Sequence, residues 1–319
     1  MSEINETFIG NKPYLSVYIA GVHFKNPVIA ASGTFGNGTE YSKIFNVSLP
    51  GGICTKGLTL TPRQGNTGTR LWETASGLLN SIGLENPGIE SYLENDLPHL
   101  RKLGPVIIAN LSGGDINEYL NGAELLNRSL VDMIELNISC PNLKEGGMSF
   151  GLDPGTAASI VAAVRRICTN KPLIVKLSPN SPNLNAIALA CVNAGADALS
   201  LVNTFKAMAI DIVTRKPVFD NITAGLSGPA IKPIALRMIW ELYDALSEEK
   251  LTIPIIGMGG ISSTNDALEF LMAGAAAVQI GTATFINPHT IPEIIDGIGN
   301  YMQNNKISKA ENISVRNKI

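Results

Sequence analysis

The stretch ELNISCPN, residues 135 to 142, gathers four side chains able to hydrogen-bond a ligand: Asn137, Ser139, Cys140 and Asn142. It closes an apolar run and carries a proline directly after the cysteine. No histidine stands nearby to activate the Cys140 thiol, and no second cysteine is near enough to share a metal. Other apolar runs also end in polar residues: Thr55-Lys56-Gly57, Asn110, Lys176 and Asn203-Thr204. A single polar strand end is usually a satisfied turn residue. Lysines and asparagines at several strand ends are costly to bury without partners, so together they predict a pocket for a planar, polar, anionic ligand.

Glycine-rich turns follow the last apolar runs, as GMGG (257–260) and IGTA (280–283), and GLSGPAIKP (225–233) supplies a third. Such turns let backbone N–H groups approach a phosphate. GMGG matches neither a dinucleotide-binding fingerprint nor a P-loop. A phosphate-bearing cofactor beside a lysine suggests FMN. Lys176, inside IVKLS, would place positive charge near the flavin N1–C2=O edge and favour negative charge there. A Schiff-base lysine, as in barrel aldolases, fits the same four neighbours.

These residues need elements to hold them. Eight short apolar runs recur: 26–35, 51–59, 104–113, 132–140, 171–179, 197–205, 252–260 and 276–283. They are continuous rather than alternating, as in parallel strands buried on both faces. Helical patterns lie between them. Asp153 with Pro154, Ser or Thr near 263, and glycines 195 and 274 mark helix starts and stops. Strand–helix units in this number predict a (β/α)8 TIM barrel, with residues 1–319 as one domain. A doubly wound open sheet is the alternative, because periodicity does not report closure. Residues 14–25 predict a β-hairpin turning at Gly21 before the first strand. Residues 60–85 and 206–228 are long excursions after strands 2 and 6, and a barrel places both at its catalytic face. The tail after Tyr301 is polar and is expected to fray.

Bulk composition narrows the function classes. The chain has 319 residues, 45% hydrophobic and 16% charged, with a net charge of -3. That charge leaves no electrostatic footprint for nucleic acid. No apolar run reaches the roughly 18 residues of a membrane span, and the acidic, polar N-terminus is not a signal peptide. A cytoplasmic protein is expected. The four cysteines, Cys54, Cys140, Cys168 and Cys191, lack metal-site spacing, so no metal site is expected. Cys54, Cys168 and Cys191 lie in apolar sequence and are expected to be buried free thiols.

TKGLTLTPRQGN (55–66), NSIGLENPG (80–88), ELNISCPN (135–142), VKLSPN (175–180), LVNT (201–204), GLSGPAIKP (225–233), IPIIGMGGI (253–261) and AGA (273–275) before AVQIGTA stand in order along the chain. In these motifs the chain resembles the dihydroorotate dehydrogenase family over nearly its whole length. The resemblance implies an FMN-binding barrel, a flavoprotein oxidoreductase that converts (S)-dihydroorotate to orotate in pyrimidine biosynthesis. It implies that Cys140 is the catalytic base, as in the soluble class. Cys140 would take the C5 proton while hydride passes from C6 to flavin N5. The reference thiol pKa of about 8.5 suits a base near neutral pH far better than an unassisted hydroxyl.

By the same resemblance, flavin contacts fall on Ala31, Ser32, Lys56, Asn110, Asn137, Lys176, Gly228, Gly259, Gly260, Gly281 and Thr282. Substrate contacts fall on Lys56, Asn80, Ile82, Gly83, Leu84, Asn137, Asn142, Asn203 and Thr204. LKEGGMSFGLDP (143–154) is similar to the NAD-linked, heteromeric B type. That type implies a homodimer of this chain with an electron-transfer subunit carrying FAD and a [2Fe-2S] cluster, a heterotetramer. Ala224 departs from the glycine expected before GLSG. A fumarate-linked homodimeric dihydroorotate dehydrogenase and a dihydropyrimidine dehydrogenase-like flavin barrel remain alternatives. A tRNA dihydrouridine synthase would need a basic surface and an RNA-binding extension, and a non-catalytic barrel would not need Cys140, Lys56 and Lys176 together.

Overall fold

The computed structural model describes residues 13–36, 38, 40–139 and 151–316. Cys140, Asn142 and residues 143–150 of the segment assigned to the B type lie outside the described residues.

Eight parallel strands close on themselves. They are β1 (Val28–Ala30), β2 (Gly52–Cys54), β3 (Val106–Leu111), β4 (Met133–Asn137), β5 (Leu173–Lys176), β6 (Ala198–Leu201), β7 (Ile255–Met258) and β8 (Ala277–Ile280). Each falls within one of the eight apolar runs. Closure is made where β8 pairs with β1, Val278 opposite Val28, which excludes the open sheet. Nearly every strand residue is buried, since one face fills the barrel and the other meets helices.

The helices start where short polar side chains can satisfy exposed backbone N–H groups. Asp153 accepts from the N–H of Thr156 to open helix Pro154–Ile167, and Ser263 accepts from Asp266 N–H to open helix Thr264–Met272. Among the described residues between β1 and β2, the regular structure is a short 3-10 turn, Tyr41–Lys43. The expected N-terminal hairpin pairs Val17–Ile19 with Val22–Phe24. Its turn residues, Ala20 and Gly21, both have positive φ (48° and 81°), the geometry that matches strand twist in a two-residue turn.

The two long excursions are not separate loops. Strands Leu71–Thr74 and Gly77–Asn80 come from the first, and Phe205–Ala207 and Ala224–Ser227 from the second. They form one antiparallel sheet in which Gly77–Asn80 pairs with Ala224–Ser227, Asn80 opposite Gly225. The described part of the tail, to Arg316, is docked rather than frayed as expected. Tyr14 bridges to Lys309, residues Ala310 and Ile313 are buried, and Arg316 stacks 3.5 Å over the Trp240 ring while pairing with Asp244. Apolar side chains spaced along a polar segment, with a cation–π contact, suffice to dock it. Among the described residues, no helix is long and apolar enough to cross a membrane.

Candidate active site

All eight strands run the same way, so their C-terminal ends share one mouth. Asn137 ends β4 and Lys176 ends β5, directly opposite in register. Lys56 follows β2, Asn203 and Thr204 follow β6, Gly259 and Gly260 follow β7, and Gly281 and Thr282 follow β8. Ala31 and Ser32 follow β1, and the Ala31 N–H is held by the Ile280 carbonyl at 2.9 Å.

The amides form a connected row. Asn203 Nδ2 donates to Asn137 Oδ1 at 3.4 Å, and Asn137 Nδ2 donates to Ser112 Oγ at 3.2 Å. Tyr119 fixes the same strand end from outside, donating its hydroxyl to the Asn137 carbonyl at 2.7 Å. The Lys56 ammonium is half-buried and has no hydrogen bond or ion pair with another described residue. Burial lowers its pKa, opposed by Glu85 and assisted by Arg70. A half-buried cation without a partner is a binding group for an anion.

Residues 80–84 form the wall beside it. Asn80 Nδ2 donates to the Gly225 carbonyl at 3.1 Å, which ties the wall to the second excursion. Gly83 and Leu84 both have positive φ (76° and 56°). Positive φ at both residues turns the chain sharply here. Neither N–H bonds to another described residue. A Cβ on Gly83 would lie 2.3 Å from Asn66 Oδ1, so only glycine fits there.

Three glycine-containing turns meet at the opposite side of the mouth. Gly228 (φ 90°) and Gly260 (φ 75°) approach so closely that a Cβ on Gly260 would lie 2.9 Å from the Gly228 carbonyl oxygen. The third turn joins them through Thr282 Oγ1, which donates to Ser227 Oγ at 2.8 Å. The cradle has the backbone access that a phosphate needs, and a Cβ at Gly228, Gly259 or Gly260 would clash.

The residue that sequence reasoning missed is Glu135. It lies on β4, fully buried inside the barrel. Its Oε1 accepts from Asn110 Nδ2 at 2.6 Å and from the Cys54 thiol at 3.3 Å. Its Oε2 accepts from Ser200 Oγ at 2.8 Å and Gln279 Nε2 at 3.0 Å. Lys176 Nζ stands 3.7 Å from Oε1. Burial pushes the Glu135 pKa upward, but the Lys176 charge and the bonds from Ser200, Asn110 and Cys54 outweigh it and hold the group below the usual carboxylate range. The available signal was a glutamate inside an apolar strand, facing the same way as Asn137 two residues on, with a lysine in the next strand's run. Asn110, expected at the flavin, has its amide group turned to this carboxylate.

Cys54, Cys168 and Cys191 are buried free thiols, as expected. The surroundings of Cys54 are not apolar, however. Burial and the Glu135 charge raise its pKa well above the usual thiol value, so it stays a neutral donor. Burial pushes Cys168 up to about 11 and Cys191 up to about 12. Among the described residues no group of His, Cys, Asp and Glu could hold a metal ion.

The mouth can therefore bind a planar anion with the Lys56 ammonium, the 83–84 backbone and an amide row, beside a phosphate cradle and a buried ammonium. The family model described as dihydroorotate dehydrogenase matches residues 14–302. Across 297 residues the chain is 59% identical to a Petrotoga mobilis protein named dihydroorotate dehydrogenase B (NAD(+)), catalytic subunit, covering 93% of this chain and 97% of that one. Proteins of the same name from Caldicellulosiruptor bescii (54% over 289 residues, covering 91% and 94%) and Geotalea daltonii (52% over 303 residues, covering 95% and 97%) are also similar.

Proposed function

The chain belongs to the dihydroorotate dehydrogenase family, and on that premise we propose that it is an FMN-binding catalytic subunit that oxidises (S)-dihydroorotate to orotate in pyrimidine synthesis. The observation that carries this reading is the meeting, at one barrel mouth, of the glycine cradle with Lys176, a buried ammonium without a hydrogen-bond acceptor for Nζ among the described residues. FMN, when bound, supplies the acceptor for hydride leaving C6 of the substrate.

This chain's own residues do the rest. Lys56 and the N–H groups of Gly83 and Leu84 hold the substrate carboxylate. Asn80, Asn137, Asn142, Asn203 and Thr204 hold the amide edges of the pyrimidine ring, matching donor to carbonyl and acceptor to N–H. Cys140, as thiolate, takes the C5 proton. The C5–H electron pair then forms the C5=C6 bond of orotate as hydride departs from C6, so one proton and one hydride leave together. Gly228, Gly259, Gly260, Gly281 and Thr282 would hold the phosphate of FMN, and Lys176 would supply positive charge beside its ring. Ala31 and Ser32 would add further contacts to the cofactor.

The relatives' names specify NAD(+) and a catalytic subunit. For this chain we read them as a homodimer joined to an electron-transfer subunit carrying FAD and a [2Fe-2S] cluster, with NAD as final acceptor and a cytoplasmic location. The direct test is colour. Purified protein should be yellow, and its flavin spectrum should bleach on adding dihydroorotate. Colourless protein that also fails to take up added FMN would refute the reading. Trapping of a substrate adduct on Lys176 by borohydride would restore the Schiff-base alternative.

A further inference from the structure

Glu135 joins six of the eight barrel strands. From β4 it receives hydrogen bonds from β2 (Cys54), β3 (Asn110), β6 (Ser200) and β8 (Gln279), and charge contact from β5 (Lys176). Two donors reach each of its oxygens, so its acceptor sites are filled without Lys176. The ammonium at 3.7 Å lies beyond hydrogen-bond length. Among the described residues Lys176 is thus attracted but makes no hydrogen bond from Nζ, and its N–H groups stay available to something else. As mere core filling this arrangement is costly, because buried ion pairs are commonly replaced by apolar side chains at no loss of stability. A fully hydrogen-bonded carboxylate beside an uncommitted, 6%-exposed lysine makes sense if the lysine's position serves a ligand.

We propose that Glu135 is a positioning residue: its carboxylate holds the Lys176 ammonium against the flavin and so sets how firmly FMN is bound and how easily it is reduced. The proposal rests on the flavin reading above. Cys54, Asn110, Ser200 and Gln279 act one step further out, by orienting the carboxylate. Glu135 itself touches neither substrate nor the reacting atoms.

The test compares FMN-loaded wild type, Glu135→Gln, Lys176→Met and the double variant. Reduction potential is read by spectroelectrochemical titration, FMN dissociation by recovery of free-flavin fluorescence, and folding by circular dichroism. Without its counter-charge the lysine loses its place. Each single variant should therefore lower the potential in the same direction and raise the FMN dissociation constant about tenfold, the order seen when the outer partner of a ligating group is removed. The double variant should shift no further, since both changes remove one device. An unchanged or raised potential in Glu135→Gln, or additive shifts in the double variant, would overturn the positioning role. If Glu135→Gln does not fold, Ser200→Ala removes one orienting bond and should give a smaller shift of the same sign. No shift there overturns the proposal. Wild type that binds no FMN overturns the flavin reading and this inference with it, whereas FMN-bound wild type with an unshifted variant overturns this inference alone.

Discussion

The hydroxyls of Ser227 and Thr282 lie 2.8 Å apart, although one ends strand Ala224–Ser227, the other follows β8, and they stand 55 residues apart in sequence. That bond fastens the second excursion to the last barrel turn, and Ser227 passes the restraint on by donating to the Leu78 carbonyl at 3.3 Å. The first excursion, the second excursion and the cradle are therefore tied together by hydrogen bonds.

Thr282→Val keeps the side-chain shape and removes this bond. A typical hydrogen bond contributes about 1 kcal/mol, so FMN should dissociate roughly fivefold more readily. Fluorescence titration of apoprotein with FMN checks this. Unchanged affinity would show that the cradle does not depend on the fastening.

Gly83→Ala should damage substrate binding without loosening FMN. The new Cβ clashes with Asn66 Oδ1, and φ of 76° strains any other residue. Strain of about 1–3 kcal/mol predicts a KM for dihydroorotate raised about 5- to 150-fold. Steady-state kinetics with a dye acceptor would read it, and an unaltered KM would remove the 83–84 backbone from the substrate wall.

Cys140→Ala should retain FMN and nearly abolish flavin bleaching by dihydroorotate in stopped flow. In wild type the bleaching rate should climb with pH towards the thiol pKa, near 8.5 for an unperturbed group, because only thiolate accepts the proton. A mutant that bleaches at the wild-type rate would exclude Cys140 as the base.

Glu135 has a folded-state pKa below its ordinary value. Its contribution to stability is therefore fully present above the unfolded carboxylate pKa of about 4.3 and is lost as pH falls through the lower folded value. Other carboxylates titrate in both proteins. The fall in melting temperature between pH 6 and pH 3 should nonetheless be steeper for wild type than for Glu135→Gln. Parallel profiles would mean that the buried carboxylate titrates alike folded and unfolded.

The isolated chain should oxidise dihydroorotate with a dye yet reduce NAD poorly until the FAD and iron–sulfur subunit is added. No dinucleotide fingerprint occurs in the sequence. Brisk NAD reduction by the chain alone would defeat the partner requirement, and preference for fumarate would place it with the homodimeric type.

Strand positions were legible because each strand is buried on both faces, and that requirement writes an unbroken apolar run such as VIA (28–30) into the chain. Helix boundaries were legible at Asp153 and Ser263 because capping is local chemistry between residues three apart. The polar strand ends were legible for a related reason: Asn137, Lys176 and Asn203 interrupt apolar runs, and an interruption is visible without knowing its partner. What lay beyond the sequence was pairing over distance. Nothing in residues 77–80 announces that Asn80 will stand opposite Gly225, since either strand could pair with any edge of suitable length. Glu135 read as one charge in an apolar strand. Its meaning came only when barrel closure brought Cys54, Asn110, Lys176, Ser200 and Gln279 to a single point. A buried charge is tolerable only where several partners converge on it, and convergence belongs to the closed sheet rather than to any segment of it.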